Sequence, residues 1–528
     1  MDSLVGAGVE RELKLQADLD LALPDLRGLV GGTFRLPEQD LRAAYFDTSE
    51  SRLWKRAITL RHRTGEGPAS GSWTLKLPEP SRARTLDRTE LSWAGPRDEV
   101  PGEARRLLRG IVRHADLQLV AELHTVRRRL QLEDGDGRPW AELDDDTVTV
   151  SGGPRDGLRF REVEIELVDD GDGDRGTGGK KGGDVLEVVV EALRKAGARP
   201  DNSPKLATAL GLADRPAPRP EANELGRRSS LEEVVRASIK AGLDRLLDHD
   251  VVLRLDPGNP PDHDVHQARV ATRRLRSDLK TFRSVLDPAW VGHTREDLKW
   301  LGEALGRVRD ADVLITGLSR GTKGSPIDAA GQRELLGHLA EQRRIAVRQL
   351  SYVLEGDNRY PRLLDRLDGG AQAPPFLATT RAGRNARTPG AKSPARHFLP
   401  QMVGTSWRSM RKQVRRAGDR PSQGELHRIR IKAKQLRYAA EVATSVMGKP
   451  AQRTATAAET VQTVLGDYHD AVVAEEWLWN QALGASPWGS FSAGQLTVEQ
   501  RRRQFRLKKR WRKDWKRLNR KKVRSWLE

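Results

Sequence analysis

The 528-residue sequence contains no cysteine. Disulfides, zinc–thiolate centres and cysteine nucleophiles are therefore excluded, and a reducing compartment is compatible with the composition. No stretch approaches the roughly 18 consecutive apolar residues of a membrane span, and the first residues lack the basic segment and apolar run of a secretory signal. These absences predict a cytoplasmic protein. Positive charge, by contrast, is in excess: 93 Lys and Arg face 74 Asp and Glu, a net +19. Residues 1–214 carry 33 basic and 39 acidic side chains (net −6), whereas residues 215–528 carry 60 and 35 (net +25). A basic field of that size implies a polyanionic partner: nucleic acid, an anionic membrane or a phosphate polymer. The sign changes at Arg215-Pro216-Ala217-Pro218-Arg219-Pro220, whose proline spacing is that of a stiff linker. Domains over 1–212 and 229–528, joined by a linker at 213–228, are expected.

The acidic portion reads as short strands separated by glycine, proline and small polar residues. They fall at about 9–15, 44–48, 58–63, 72–77, 86–91, 119–132, 140–150 and 159–168, with helices near 102–114 and 184–196. Side chains two apart on a strand share a face. Glu10, Glu12 and Lys14 share one; so do Arg61 and Arg63, Thr74 and Lys76, Arg88 and Glu90, Arg127 and Arg129, Glu142 and Asp144, and finally Glu162, Glu164 and Glu166. One such strand is ordinary, but seven or eight in succession predict a closed barrel with a charged lumen. Small barrels usually fill the lumen with apolar side chains, so an ionic one is expected to hold a ligand with several charges. Basic groups suit phosphate oxygens and carboxylates suit a divalent metal. Glu142 and the run Asp144, Asp145, Asp146 also fit a solvated acidic turn. An Asp/Gly-rich loop is expected at 169–183.

The ordered set, opened by Glu10-x-Glu12-x-Lys14 and closed by Glu162-x-Glu164-x-Glu166, resembles the CYTH superfamily of triphosphate tunnel metalloenzymes over residues 9–212. The resemblance implies an α+β domain built on an eight-stranded antiparallel β-barrel, which binds triphosphate with Mg²⁺ or Mn²⁺ and hydrolyses it. Other members are adenylate cyclases or thiamine triphosphatases. By position it implies that Glu10, Glu12, Glu164 and Glu166 are metal ligands, with these four and Lys14 as the catalytic set. Lys14, Arg61, Arg63, Lys76, Arg127 and Arg129 would clamp phosphates, and Lys205 would close one end. Ser203-Pro204-Lys205 departs from the family's Ser-Lys pair. Arg88 is expected to pair with Glu90, and Glu162 to lie toward the rim.

In the basic portion strand signals give way to long helical patterns and an internal repeat. His266, Arg269, Arg273 and Arg276 recur as His427, Arg430, Lys434 and Arg437, displaced by 161; Leu305-Gly306 and Asp310 recur as Leu465-Gly466 and Asp470, displaced by 160. Positions i, i+3, i+7 and i+10 fall within an arc of about 80° on a helix, so each set forms one cationic stripe. Asp310 and Asp470 are read as local partners that orient a stripe arginine or cap a helix.

These motifs resemble the CHAD family, an all-helical module of two similar bundles, over about 229–483. The resemblance implies that His266, Arg269, Arg273, Arg276, His427, Arg430, Lys434 and Arg437 bind inorganic polyphosphate in a groove between halves at about 229–368 and 395–483. A disordered connection is expected at 369–394. The basic tail at 497–528, with Trp511, Trp515 and Trp526 interleaved, is read as an extra helix on the groove or a separate polyanion-binding tail. Two function classes follow. One is a metal-dependent triphosphatase or short-chain polyphosphatase. The other is a non-catalytic protein attached to polyphosphate granules or nucleic acid. A cyclase remains a third reading of the tunnel, without a visible purine-reading motif.

Overall fold

The computed structural model describes residues 4–527 except 11, 69, 79–87, 168–178, 202, 213–224, 322–328, 357 and 378–389. The expected loop at 169–183 and linker at 213–228 lie largely outside the described residues. The chain divides into two compact units, Met1–Pro220 and Glu221–Glu528.

The first unit contains strands β1 (Leu4–Glu10), β2 (Glu12–Ala17), β3 (Gly32–Arg35), β4 (Gln39–Asp47), β5 (Thr59–Thr64), β6 (Ser72–Pro78), β7 (Arg88–Ala94), β8 (Gln118–Glu133), β9 (Pro139–Gly152), β10 (Arg159–Leu167) and β11 (Arg199–Pro200). Its helices are α1 (Gly102–Val112), α2 (Gly179–Lys195) and α3 (Lys205–Leu210). The strands follow the order β1-β7-β6-β5-β4-β8-β9-β10-β2-β11, with β3 on β8, and every pairing is antiparallel. One residue separates β1 from β2, so the N-terminal segment pairs with β7 through its first part and β10 through its second. That joins the two ends of the path into a barrel. The eight expected strands become ten on the path because the opening strand is interrupted and β11 adds a two-residue edge; the short β3 adds another off it.

Period-two alternation sorts the side chains. Leu15, Leu143, Val163 and Ile165 point outward onto Val189 and Leu193 of α2. Trp93, fully buried, donates its indole N–H to Glu103 of α1 at 3.0 Å. At one end of the lumen the alternation turns apolar. There Tyr45, Leu123, Val148, Val150 and Phe160 pack against Leu206, Ala207 and Ala209 of α3, which plugs that end. Helix α2 begins five residues before the expected start, at Gly179. Gly71, at φ +83° where the β5–β6 hairpin closes, is required: an added Cβ would lie 2.4 Å from the His62 ring.

The second unit is helical: α4 (Leu231–Leu255), α5 (Asp262–Thr281), α6 (Pro288–Gly321), α7 (Ala329–Glu355), α8 (Arg359–Gln372), α9 (Ala395–Ala417), α10 (Gln423–Met447), α11 (Lys449–Ala482), α12 (Pro487–Leu518) and α13 (Lys521–Arg524). Helices α5 and α10 begin 161 residues apart, as do α6 and α11, so the sequence repeat is a repeat of structure. Ser230–Glu233 and Ser422–Glu425 capping boxes start α4 and α10. One apolar core runs through both halves, from Leu275 of α5 to Ala433 and Leu436 of α10.

Two expectations about this unit are corrected. Of the supposed disordered connection, 378–389 lie outside the described residues, whereas 369–377 and 390–394 are tied down: Asp287 N–H donates to Pro375 O at 2.8 Å, and Leu231 N–H to Ser393 O at 2.9 Å. The basic tail is not a separate appendage, because α12 begins at Pro487 and packs on α11 and α7. Trp511 and Leu518 are buried in the common core, Trp515 stacks on Trp407 at 5.5 Å, and Trp526 donates to Thr454 Oγ1 at 2.8 Å. Among the described residues no helix is long and apolar enough to cross a membrane.

Candidate functional site

Antiparallel register places the lumen-facing charges in cross-strand rows. In one, Glu12 of β2, Glu166 of β10, Glu142 of β9 and Gln131 of β8 sit at successive opposing positions; in the next, Lys14, Glu164, Asp144 and Arg129; then Gln16, Glu162, Asp146 and Arg127. On the far wall Thr59, Lys76 and Glu90 form a row, with Arg61 and Arg63 on the same face of β5. These groups surround a cavity of about 590 Å³ that Lys14, Arg61, Arg63, Lys76, Arg127, Arg129, Glu164, Glu166 and Lys205 all line. The side chains of Glu10, Glu12 and Arg88 lie outside the described residues; their strand positions are described, with Glu10 opposite Arg88 and Glu12 opposite Glu166.

The two walls differ electrostatically. On the acidic wall, Arg127 reaches Asp144 at 2.5 Å, Asp146 at 2.7 Å and Glu164 at 3.1 Å, while Arg129 grips Glu142 at 2.5 Å. Lys205 lies 2.6 Å from Glu164 and 3.0 Å from Asp146. Burial pushes the Glu164 carboxyl up, but Lys205, Lys14 and Arg127 outweigh it and hold the group well below the usual carboxylate range. Burial also raises Asp144, to about 7, with Asp146 and Glu142 adding to the effect and Arg127 opposing it. On the basic wall, Glu90 lies 3.1 Å from Lys76 and 3.8 Å from Arg61, and Arg63 pairs with Glu66. Burial and the neighbouring Arg61 lower the Arg63 guanidinium to about 10.

Several residues sit differently from the sequence reading. Glu162 is not at the rim: it is 1% exposed, 2.7 Å from Lys14 and 3.4 Å from Lys205. Glu142, Asp144 and Asp146 are not a solvated turn but lumen groups. Asp145 alone of that run faces outward, in a buried pair with Arg161 at 2.7 Å. Glu90 lies beside Lys76 and Arg61, and the side chain of Arg88, its expected partner, lies outside the described residues.

In the helical unit the stripes of α5 and α10 converge. Arg269, Arg273, Arg276 and Lys434 line a groove of about 410 Å³ with Gly302, Glu303, Gly306, Arg307 and Asp310 of α6. Asp310 orients Arg269 at 2.7 Å, and Arg273 donates to Tyr438 Oη at 3.2 Å. Burial lowers Arg430, partly offset by Asp470, the repeat partner of Asp310. Burial and the field of Arg273, Arg430, Arg269 and Arg276 push the Lys434 ammonium down to about 7. His266 and His427 are lowered by burial, then by Arg309 and Arg430 respectively, and His427 packs on His469 with ring centres 4.5 Å apart. Arg437 turns away to Glu441 at 2.6 Å and Glu459 at 3.0 Å. Arg307, which sequence reasoning passed over, lies inside the second repeated motif, and its place one turn before Asp310 was the available signal.

A CYTH domain model matches residues 9–177 and a CHAD domain model residues 237–479. An uncharacterized protein of Mycobacterium tuberculosis is 34% identical over 487 residues, covering 87% of this chain and 86% of that one. Among solved structures, the CHAD domain from the plant Ricinus communis aligns at 26% identity with a TM-score of 0.42, over 57% of this chain and 93% of that one. PptA from Streptomyces chartreusis aligns at 19% identity with a TM-score of 0.41, over 55% of this chain and 100% of that one. With a charged barrel in one unit and a duplicated helical repeat in the other, the chain belongs to the family that fuses a CYTH domain to a CHAD domain.

Proposed function

We propose that the barrel hydrolyses inorganic triphosphate or short polyphosphate with Mg²⁺ or Mn²⁺, and that the helical unit binds inorganic polyphosphate. The observation that carries the catalytic reading is the asymmetry of the lumen. Arg61, Arg63 and Lys76 on β5 and β6 face Glu142, Asp144, Asp146, Glu164 and Glu166 on β9 and β10 across a cavity of about 590 Å³.

The residues fit a divalent cation. Glu12, Glu166 and Glu142 occupy directly opposing positions on three adjacent strands, with Glu142 held by Arg129, and a divalent cation would offset the repulsion between like charges in that row. Hard oxygen donors are the ligands Mg²⁺ and Mn²⁺ prefer. Among the described residues no group of three or more His, Asp or Glu is arranged to hold a metal ion, and the side chains of Glu10 and Glu12 are outside them. Glu10, Glu12 and Glu166 are therefore assigned to hold the ion. Glu164, already held at 2.6 Å by Lys205 and 3.1 Å by Arg127, is assigned to fix those two cations in place. The ion, when bound, neutralises charge on the phosphate oxygens and lowers the barrier to attack by water. Arg61, Arg63 and Lys76 bind the peripheral oxygens, where negative charge spreads in the transition state. Lys14 and Lys205 carry the same charge to the plugged end.

Tyr45, Leu123 and Leu206 at the plugged end line the same cavity as the charged groups, so a linear phosphate and a nucleotide are distinguished by their products. The test is product analysis with triphosphate and with ATP, in Mg²⁺, in Mn²⁺ and in chelator. Phosphate release from triphosphate that chelator abolishes supports the assignment. Release of pyrophosphate and a cyclic nucleotide from ATP establishes the cyclase reading, and no turnover of either leaves the binding protein.

A further inference from the structure

Helix α12 carries a second feature, separate from the groove on α5 and α10. Its buried side holds Leu496, Trp511 and Leu518. On the opposite side, Trp488, Phe491, Val498 and Phe505 fall with Arg502, Arg506, Lys509, Lys513 and Lys516 inside an arc of about 100°, at 100° per residue, and Arg520 follows two residues beyond the helix end. All ten are exposed, the aromatics heavily so: Trp488 by 62%, Phe491 by 57% and Phe505 by 63%. Along the axis the face is sorted, aromatic and apolar in the first half and cationic in the second. Phe505 sits at the junction with Lys509 Nζ 4.1 Å from its ring centre. Among the described residues none of these six cations has a carboxylate within ion-pair distance, whereas the neighbouring Arg501, Arg503 and Arg512 are each paired, to Glu475, Asp467 and Asp419.

We propose that this face of α12 binds single-stranded nucleic acid, with phosphates along the cationic half and bases stacked on Trp488, Phe491 and Phe505. The cations recur every three or four residues, a rise of roughly 5 to 6 Å, so successive side chains can meet successive phosphates of an extended strand. Exposed aromatic rings beside such a stripe are the equipment for base stacking. Competing ligands use only part of it. Inorganic polyphosphate offers nothing to the rings, and a duplex hides its base faces. A bilayer surface would take the aromatic half, but the cations of the other half, on the same side of a straight helix, would be driven to the same depth at high cost.

The experiment measures anisotropy of a labelled 20-nucleotide single-stranded RNA on the full chain. Competitors are unlabelled duplex of equal phosphate, inorganic polyphosphate and anionic vesicles. The proposal expects W488A/F491A/F505A to weaken RNA binding roughly tenfold or more while polyphosphate binding is unchanged. R506E/K513E should weaken RNA binding further, and the groove variant R273E/K434E should spare it. Circular dichroism confirms that each variant is folded. Equal RNA affinity of the native chain and the aromatic variant overturns the proposal in favour of plain electrostatics. Loss of RNA binding with the groove variant alone moves the site to α5 and α10, and preferential displacement by vesicles assigns the face to a membrane.

Discussion

Lys434 makes the proposed polyphosphate groove pH-sensitive. Its ammonium is pushed down to about 7 by burial and by Arg273, Arg430, Arg269 and Arg276, with Asp310 of α6 and His469 and Asp470 of α11 the other titratable groups nearby. A bound polyanion replaces that repulsion with attraction and returns the ammonium to its usual range. Binding must then take up a proton whenever the free protein has lost it. The sign is that affinity is greatest at low pH and falls as pH rises through about 7. From pH 6 to pH 8.5 the fraction of protonated Lys434 drops roughly thirtyfold, and affinity should drop by the same factor. His266, His427 and His469 are held below the ordinary histidine range and contribute little above pH 7. Titration calorimetry with polyphosphate in buffers of different ionisation enthalpy should find uptake approaching one proton per site at pH 8. Lys434→Arg, which stays charged, should flatten the profile. Flat affinity in the native protein, or an equal slope in the arginine variant, refutes the reasoning.

Three further outcomes are expected. Arg127→Ala leaves Asp144, Asp146 and Glu164 without their shared guanidinium and should cost about 3–5 kcal/mol in urea denaturation of the barrel. Trp511→Ala should cost about 3–5 kcal/mol, because the ring fills the helical core; a loss under 1 kcal/mol would return 497–528 to a surface tail. Asp278, 2% exposed and raised by burial from 3.8 to about 7, holds its proton more tightly when folded. Stability should therefore fall between those two pH values, by on the order of 4 kcal/mol, and Asp278→Asn should remove that fall in thermal melts at pH 4 to 8.

The barrel's charged lumen was legible because strand periodicity alone fixes which side chains share a face. The partners were not, since register decides them. Nothing in the spacing of Arg127 says that β9 and β10 bring Asp144, Asp146 and Glu164 to it, or that Asp145 turns outward to Arg161. The same limit misplaced Glu162, which is buried between Lys14 and Lys205. In the helical unit, the repeat exposed the stripes directly, but helical phase alone could not show Arg437 drawn off by Glu441 and Glu459. Dense Lys and Arg kept an extra helix and a separate tail both open for the C-terminal tryptophans, although the spacing of Leu496, Leu507, Trp511 and Leu518 is the signal of a packed helix.

The central claim concerns the opening Glu10-x-Glu12-x-Lys14 strand, which closes the barrel and brings Glu12 opposite Glu166. The most direct measurement follows triphosphate by phosphorus NMR with Mg²⁺ or Mn²⁺, comparing the native chain with Glu10→Ala/Glu12→Ala. The account predicts that the native protein converts triphosphate to pyrophosphate and phosphate, and that the variant loses turnover at least a hundredfold while the helical unit still binds polyphosphate. Equal rates in the two preparations would contradict it.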